Sequence, residues 1–134
     1  MHAISFISST TVSPRPQVHI GPALDYMKQA IADGLQFDVI FLDADKSEYV
    51  EYLKLAFQGG LLARGGTVLI DNALMRGMPY APDKMEKIPA DKNFTLKTGQ
   101  FVAADESLHC ALVPIRDGVA MVRRRDDVEG TCVE

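Results

Sequence analysis

The sequence is poor in cysteine, in long apolar runs and in excess positive charge. Cys110 and Cys132 are the only cysteines among 134 residues, so neither a disulfide framework nor a zinc-binding pattern is expected. No apolar run approaches the roughly 20 residues that a membrane helix needs, and the first residues lack the basic segment of a secretory signal. The formal net charge is -4, which argues against a nucleic-acid partner. These absences favour a cytoplasmic protein with neither membrane nor nucleic acid as a partner.

The composition indicates one ordinary globular domain. Hydrophobic residues make up 47% of the chain and charged residues 24%, and a chain of this length can bury one core but not two. We expect the domain over residues 17–125, preceded by a separate segment at 1–16 and followed by a tail at 126–134. A homodimer is left open by the sequence.

Hydrophobic periodicity predicts an α/β fold. Nearly continuous apolar runs indicate strands covered on both faces, and apolar residues at helical spacing indicate amphipathic helices between them. Strand, helix and strand with short loops form a right-handed βαβ unit. We therefore expect a mostly parallel sheet with a C-terminal antiparallel hairpin. The predicted elements are a strand at 17–20, a helix at 22–33, a strand at 37–42, a helix capped by Ser47, a strand at 67–70, a helix at 94–104 and a hairpin of strands 108–115 and 119–124.

Polar side chains follow two strands of this βαβ unit. Asp43 follows the strand at 37–42, and Asp71 and Asn72 follow the strand at 67–70. Ligands of open parallel sheets bind outside the carboxyl ends of the strands, where these oxygen atoms should converge. Carboxylate and amide oxygens suit Mg²⁺ or a similar divalent cation.

Lys46 is three residues after Asp43, so its ammonium can reach the same edge of the sheet. A lysine beside a bound cation loses its proton more readily and can act as a base, while the cation lowers the pKa of a hydroxyl that it contacts. Either motif alone is ordinary turn or helix-entry chemistry. Only the two together, on successive strands, favour a site that activates a hydroxyl.

The same residues resemble the cation-dependent O-methyltransferases of the caffeoyl-CoA and catechol type. The resemblance runs, in the family's order and spacing, through GPAL (21–24), FDVIFLDADKSEY (37–49), LLARGGTVLIDNALMRG (61–77) and PIRDG (114–118). It implies a partial Rossmann-like class I methyltransferase fold, truncated at its N-terminus so that the first two strands are lacking. The chain departs from the family's pattern at Met75, Arg76 and Arg116.

The resemblance also implies roles for individual residues. Asp43, Asp71 and Asn72 match the family's metal ligands, and Lys46 matches its general base. Asp43, Asp45 and Ala23 fall where the family contacts S-adenosyl-L-methionine. The implied reaction transfers the sulfonium methyl group to a small hydroxylated aromatic acceptor, catechol-like or phenolic, with Mg²⁺ or another divalent cation.

The front of the chain differs from the family. Only Gly21 and Gly34 precede Phe37, so the family's glycine-rich loop has no counterpart there. We expect the isolated chain to bind S-adenosylmethionine weakly or not at all. A non-catalytic remnant that acts as a binding or regulatory module is the alternative. A phosphoacceptor receiver domain ranks lower, because its acidic pair and its late lysine are not apparent.

Three smaller expectations concern residues outside this constellation. Tyr49 and Tyr52 lie on the apolar stripe of their helix and are expected in the core. The arginines at 123–125 are expected at a solvated strand end rather than in a phosphate site. Met75, Met78, Tyr80 and Met85 fall in a long loop at 73–93 that could line an apolar acceptor pocket.

Overall fold

The structure, a computed structural model, describes residues 17–74 and 93–129. Its helices and strands alternate through the first part of the chain and end in a hairpin and a short helix. In chain order they are α1 (Ala23–Ala32), β1 (Phe37–Leu42), a short 3-10 helix (Lys46–Glu48), α2 (Tyr49–Phe57), β2 (Leu62–Asp71), α3 (Phe94–Ala104), β3 (Leu108–Val113), β4 (Val119–Arg124) and α4 (Arg125–Glu129). None of the described helices is long and apolar enough to cross a membrane.

The strands form one sheet in the order β1-β2-β4-β3. The β1–β2 pair is parallel, whereas β2–β4 and β3–β4 are antiparallel. The predicted α/β class and C-terminal hairpin are confirmed, in a sheet that is mixed rather than mostly parallel. The strand predicted at 17–20 is wrong: these residues form no strand, Ile20 is 81% exposed, and β1 is an edge strand among the described residues.

Most element bounds follow the apolar pattern, with one extension at β2. That strand begins at Leu62 rather than at residue 67, and its register with β1 shifts between Phe37 and Val39. Gly65 has φ +76° in this shift, a conformation that glycine adopts without steric cost. The start of β2 was not predicted because Gly65 and Gly66 lie within it, and consecutive glycines in a sequence also indicate a turn.

The core lies between the helices and one face of the sheet. Tyr49, Tyr52, Leu53 and Ala56 of α2 are buried, so the prediction that both tyrosines belong to the core is confirmed. The largest fully buried side chains are Tyr52, Leu53, Leu61, Leu62, Val68 and Val122.

The opposite face of the sheet carries an apolar row that is open to solvent in part. Phe41 pairs with Leu69, Leu69 with Met121, and Met121 with Ala111. Because alternate residues of a strand point to opposite faces, this row lies away from the buried Val68 and Val122. Phe41 is 57% exposed.

The arginines at the end of β4 donate hydrogen bonds to backbone carbonyls, although Arg125 is exposed to solvent. Arg124 donates to the carbonyls of Leu62 and Ala63, each at 3.0 Å, and its side chain is only 18% exposed. Arg123 donates to the Gly65 carbonyl at 3.0 Å. The expected solvated strand end is therefore wrong for Arg124, because the extended start of β2 offers carbonyl groups that the shifted register leaves available. Helix α4 overlaps the first residues of the expected tail.

Candidate active site

The predicted ligands lie at the carboxyl ends of two paired strands. Leu42 of β1 is the register partner of Ile70 of β2 in the parallel ladder. The residues that follow, Asp43 and Asp71, therefore leave the same edge of the sheet from strands about 4.8 Å apart. Asn72 comes next along the chain. The backbone thus brings together the two segments that the sequence places at one site.

Tyr49 fixes the path of the chain beyond β1. Its hydroxyl donates to the Leu42 carbonyl at 3.2 Å and accepts from the Ala44 N–H at 3.3 Å. The residue is 3% exposed. These two bonds hold the backbone on either side of Asp43, so the position of this carboxylate depends on a tyrosine that sequence reasoning assigned only to the core.

The pKa of the Tyr49 hydroxyl depends on its burial and on nearby charged groups. Burial raises the pKa of its hydroxyl, and the carboxylates of Asp43, Asp71 and Asp45 raise it further, against an opposing effect of the Ala44 N–H. Asp43 and Asp71 therefore act on the same hydroxyl group. The Lys46 ammonium lies 5.7 Å from the centroid of the Tyr49 ring, so the predicted base stands beside the tyrosine whose hydroxyl holds the backbone around Asp43.

Asp45 begins the short helix that carries Lys46. Its Oδ1 accepts from the Ser47 N–H at 2.9 Å and from the Ser47 hydroxyl at 2.7 Å, and the hydroxyl and then the N–H lower the pKa of its carboxyl. The predicted cap at Ser47 is wrong: Asp45 caps the 3-10 helix, and Glu48 precedes α2 without a side-chain cap hydrogen bond. Asp45 is exposed at this turn.

The chain beyond β2 is fixed in a different way. Asn72 has φ +59°, a left-handed conformation that asparagine tolerates better than most residues, and its N–H donates to Asp71 Oδ1 at 2.7 Å. The Ala73 N–H donates to the Gly118 carbonyl at 3.0 Å. The turn at Asp117-Gly118, expected from its sequence, therefore also holds the loop that carries Asp71 and Asn72.

Ala23 is the remaining residue of the expected set. It is the first residue of α1, follows Pro22 in an extended conformation, and is exposed. Among the described residues no hydrogen bond joins Ala23 to the ends of β1 and β2. The structure therefore places Ala23 at a helix N-terminus without linking it directly to the carboxylates.

The donor atoms at the strand ends fit a hard cation. Two carboxylates and one amide supply oxygen ligands, the type that Mg²⁺ prefers. Within the described part of the chain, no hydrogen bond or ion pair engages the side chains of Asp43 or Asn72. The same described ranges contain no group of three histidine, cysteine, aspartate or glutamate residues arranged for a metal; the set at the strand ends has two of these residues and an amide.

A cavity of about 500 Å³ opens beside this site. It runs between α3 and the face formed by β3 and β4, and one end is lined by Tyr49, Asp71 and Asn72. Sequence reasoning missed it, because a cavity depends on packing between elements distant in the chain. The acceptor pocket expected from Met75, Met78, Tyr80 and Met85 lies outside the described residues.

Comparison with known proteins gives the family. The O-methyltransferase family model matches residues 1–125, so the similarity begins ahead of Gly21, where the first quoted motif starts. Caffeoyl-CoA O-methyltransferase 1 from Eucalyptus globulus is 33% identical over 123 residues, which is 88% of this chain and 49% of that protein. The chain thus spans about half the length of the curated relatives that it matches.

Solved structures agree with this result. The SAH-bound methyltransferase PaMTH1 from Podospora anserina aligns with a TM-score of 0.58 at 31% identity, over 79% of this chain and 47% of that one. The O-methyltransferase TomG from Streptomyces achromogenes, in complex with SAM, aligns with a TM-score of 0.66 at 24% identity, over 79% and 48%. The second alignment bears on the fold alone, and confirms the Rossmann-like methyltransferase architecture. The match to the family model over residues 1–125 means that the chain belongs to the O-methyltransferase family.

Proposed function

We propose that the chain serves an O-methyltransferase that uses S-adenosylmethionine and a divalent cation to methylate a small hydroxylated aromatic acceptor. The observation that carries the proposal is the pairing of Leu42 with Ile70, which sets Asp43 beside Asp71 and Asn72 at one edge of the sheet. The names of the relatives support the reaction class.

The residues at the strand ends are proposed to have two roles, cation binding and proton acceptance. Asp43, Asp71 and Asn72 would hold the cation, preferably Mg²⁺. A divalent cation, when bound, lowers the pKa of a hydroxyl that it contacts. Lys46 Nζ, in its unprotonated form, would accept the proton from the acceptor hydroxyl.

Methyl transfer itself needs mainly alignment. The acceptor oxygen forms a bond to the methyl carbon as the bond from that carbon to sulfur breaks, and the sulfonium becomes a neutral thioether. Holding the two substrates in line contributes more than any further group from the protein. Ala23 and Asp45 are proposed to contact S-adenosylmethionine, together with Asp43.

The decisive experiment measures cation binding and methyl transfer separately. Mn²⁺, as a spectroscopic substitute for Mg²⁺, is titrated into the purified full chain and followed by electron paramagnetic resonance. Asp43→Asn and Asp71→Asn should each weaken Mn²⁺ binding by at least about tenfold, because each removes a charged ligand. Asp38→Asn is the matched control, since Asp38 is an exposed carboxylate of the same strand β1.

Methyl transfer is then followed with S-adenosylmethionine and 4-methylcatechol, with Mg²⁺ and with a chelator. Transfer that needs Mg²⁺ and falls in Asp43→Asn supports the proposal. Cation binding that the two ligand variants leave unchanged would contradict it. Specific Mn²⁺ binding with no methyl transfer, even at millimolar S-adenosylmethionine, would favour the non-catalytic alternative.

A further inference from the structure

The cavity beneath α3 has apolar walls and polar or charged side chains at its two ends. The described walls from β2, β3 and β4 include the apolar side chains of Ile70, Leu108, Ala120 and Val122. Asp71 and Asn72, proposed as cation ligands, stand at one end, and Asp105, Glu106 and Arg125 stand at the other. An apolar space of about 500 Å³ with polar groups at its mouth has the size and lining of a small-molecule site.

One face of α3 lines this cavity. Thr95, Thr98, Gly99 and Val102 all border it, and their spacing of three, one and three residues places them on the same side of a helix. The fold leaves this side only partly packed against the sheet, since Val102 and Thr98 are buried whereas Gly99 is exposed at the opening.

Gly99 is the unexpected residue on this face. A glycine within a helix costs about 1 kcal/mol relative to alanine, and close packing is the usual reason to accept that cost. Here a Cβ atom at Gly99 would meet no described atom within 4 Å. Packing among the described residues therefore gives no reason for the glycine, whereas a ligand passing close to the helix backbone does.

We infer that this cavity receives the apolar part of the acceptor, whose hydroxylated end points toward Asp71 and Asn72. This inference rests on the proposed function and narrows the substrate class. The acceptor is a hydroxylated aromatic ring that carries an uncharged, apolar substituent. An anionic substituent is disfavoured, because its charge would lose hydration among the apolar walls formed by Ile70, Leu108 and Val122.

The test uses two probes that separate the cavity from the cation site. 4-Butylcatechol carries both hydroxyls and an apolar chain, and n-butylbenzene carries the chain alone. Their binding to the full chain, without S-adenosylmethionine, is measured by titration followed in ¹H–¹⁵N NMR spectra. In the wild type, both probes should shift amide signals of α3 and β4.

Gly99→Leu fills the cavity mouth where the structure leaves room for the side chain. It should weaken n-butylbenzene binding by at least about tenfold, which corresponds to about 1.4 kcal/mol, without lowering the unfolding temperature. Gln100→Leu adds the same side chain to the neighbouring residue of α3, which is exposed and does not border the cavity. It should change n-butylbenzene affinity by less than about twofold. Thr95→Leu, one turn before Gly99, provides a second obstruction.

The outcomes distinguish this inference from the proposed function. Asp71→Asn should leave n-butylbenzene binding intact while it weakens the Mg²⁺-dependent gain in affinity of 4-butylcatechol. If Mg²⁺ does not raise the affinity of the wild type for 4-butylcatechol but n-butylbenzene binds as expected, the result counts against the cation site and not against the cavity. Wild-type affinity of n-butylbenzene for both Gly99→Leu and Thr95→Leu would overturn the cavity inference, and so would amide shifts confined to the other face of the sheet.

Discussion

The hydroxyl of Tyr49 donates to the carbonyl of Leu42, the last residue of β1, at 3.2 Å. The same hydroxyl accepts the Ala44 N–H, so one buried side chain fixes the backbone before and after Asp43. A residue of the helix core is in this way also a positioning residue for the strand end. Replacing Tyr49 with phenylalanine tests how much these two hydrogen bonds contribute to stability.

Tyr49→Phe should lower the free energy of unfolding by about 1–3 kcal/mol, because the buried Leu42 carbonyl and the Ala44 N–H lose their partner while the ring remains. Urea denaturation followed by circular dichroism measures this loss. Tyr26→Phe is the matched control, with an expected change within about 0.5 kcal/mol, since no hydrogen bond of the Tyr26 hydroxyl exists among the described residues. Equal losses in the two variants would contradict the positioning role.

Two buried tyrosines make the protein sensitive to high pH. Burial raises the pKa of Tyr49, with the nearby carboxylates as a further cause. Burial also raises the pKa of Tyr52, helped by the hydrogen bond that its hydroxyl donates to Glu48. The folded state therefore keeps both protons above the unfolded-state pKa of about 10, and the unfolded state releases them first.

The contribution of these tyrosines to stability is complete below about pH 10 and declines as the pH rises toward their folded-state pKa values, by up to about 1.4 kcal/mol per pH unit for each tyrosine. Urea midpoints measured between about pH 8 and pH 11 should therefore fall more gently in a Tyr49→Phe/Tyr52→Phe double variant than in the wild type. Parallel slopes would show that neither hydroxyl resists ionisation in the folded state.

Gly118 and Leu74 join the hairpin turn to the loop after β2. A Cβ at Gly118 would lie 2.5 Å from Leu74 Cγ, and the φ angle of Gly118 is +79°. Gly118→Ala should therefore cost about 2 kcal/mol or more, as backbone strain plus overlap. Gly65→Ala is a matched control with φ +76° and open space at its Cβ, so it measures the strain alone.

The overlap is isolated by adding Leu74→Ala to each glycine variant. Leu74→Ala should recover part of the loss in Gly118→Ala and none in Gly65→Ala, as measured by urea denaturation in a double-mutant cycle. If Leu74→Ala adds the same loss in both backgrounds, the turn does not press on the loop that carries Asp71 and Asn72.

Local signals allowed much of the fold to be predicted. The apolar run at 37–42 predicted the bounds of β1 that the structure has, because a glutamine precedes it and an aspartate follows it. The sequence misled where an element depends on a distant partner. Residues 17–20 alternate like a strand but pair with no strand among the described residues, and β2 extends back across Gly65 and Gly66 to Leu62, which pairs with Phe37 of β1.

The candidate site likewise has features that the sequence predicted and features that it did not. Asp43 and Asp71 could be placed side by side from the sequence, since two parallel strands of one βαβ unit end at one edge. Tyr49 could not be assigned its role, because its helical spacing already explained it as core. The cavity at Gly99 was beyond sequence reasoning altogether, since it exists only through the packing of α3 against β3 and β4.

The charge of Lys46 should act on cation binding and on catalysis in opposite directions. Its ammonium lies 5.7 Å from the centroid of the Tyr49 ring, beside the residue that holds the backbone on both sides of Asp43, and like charges repel. Lys46→Met should therefore tighten Mn²⁺ binding by a few fold, or about 1 kcal/mol of Coulomb energy near a protein surface. If Lys46 takes the acceptor's proton, the same variant should lower kcat for methyl transfer by at least about 100-fold.

Lys54→Met provides the control, because Lys54 is a partly exposed lysine of α2 that pairs with Glu51 at 2.7 Å. Its Mn²⁺ affinity and its kcat should both remain near the wild-type values. Lys46→Arg keeps the charge but not the readily released proton, so it should restore the wild-type Mn²⁺ affinity without restoring kcat. Weaker Mn²⁺ binding in Lys46→Met would mean that Lys46 supports the ligands rather than opposing the cation. Wild-type kcat in that variant would remove Lys46 from the proposed mechanism while leaving the cation site in place.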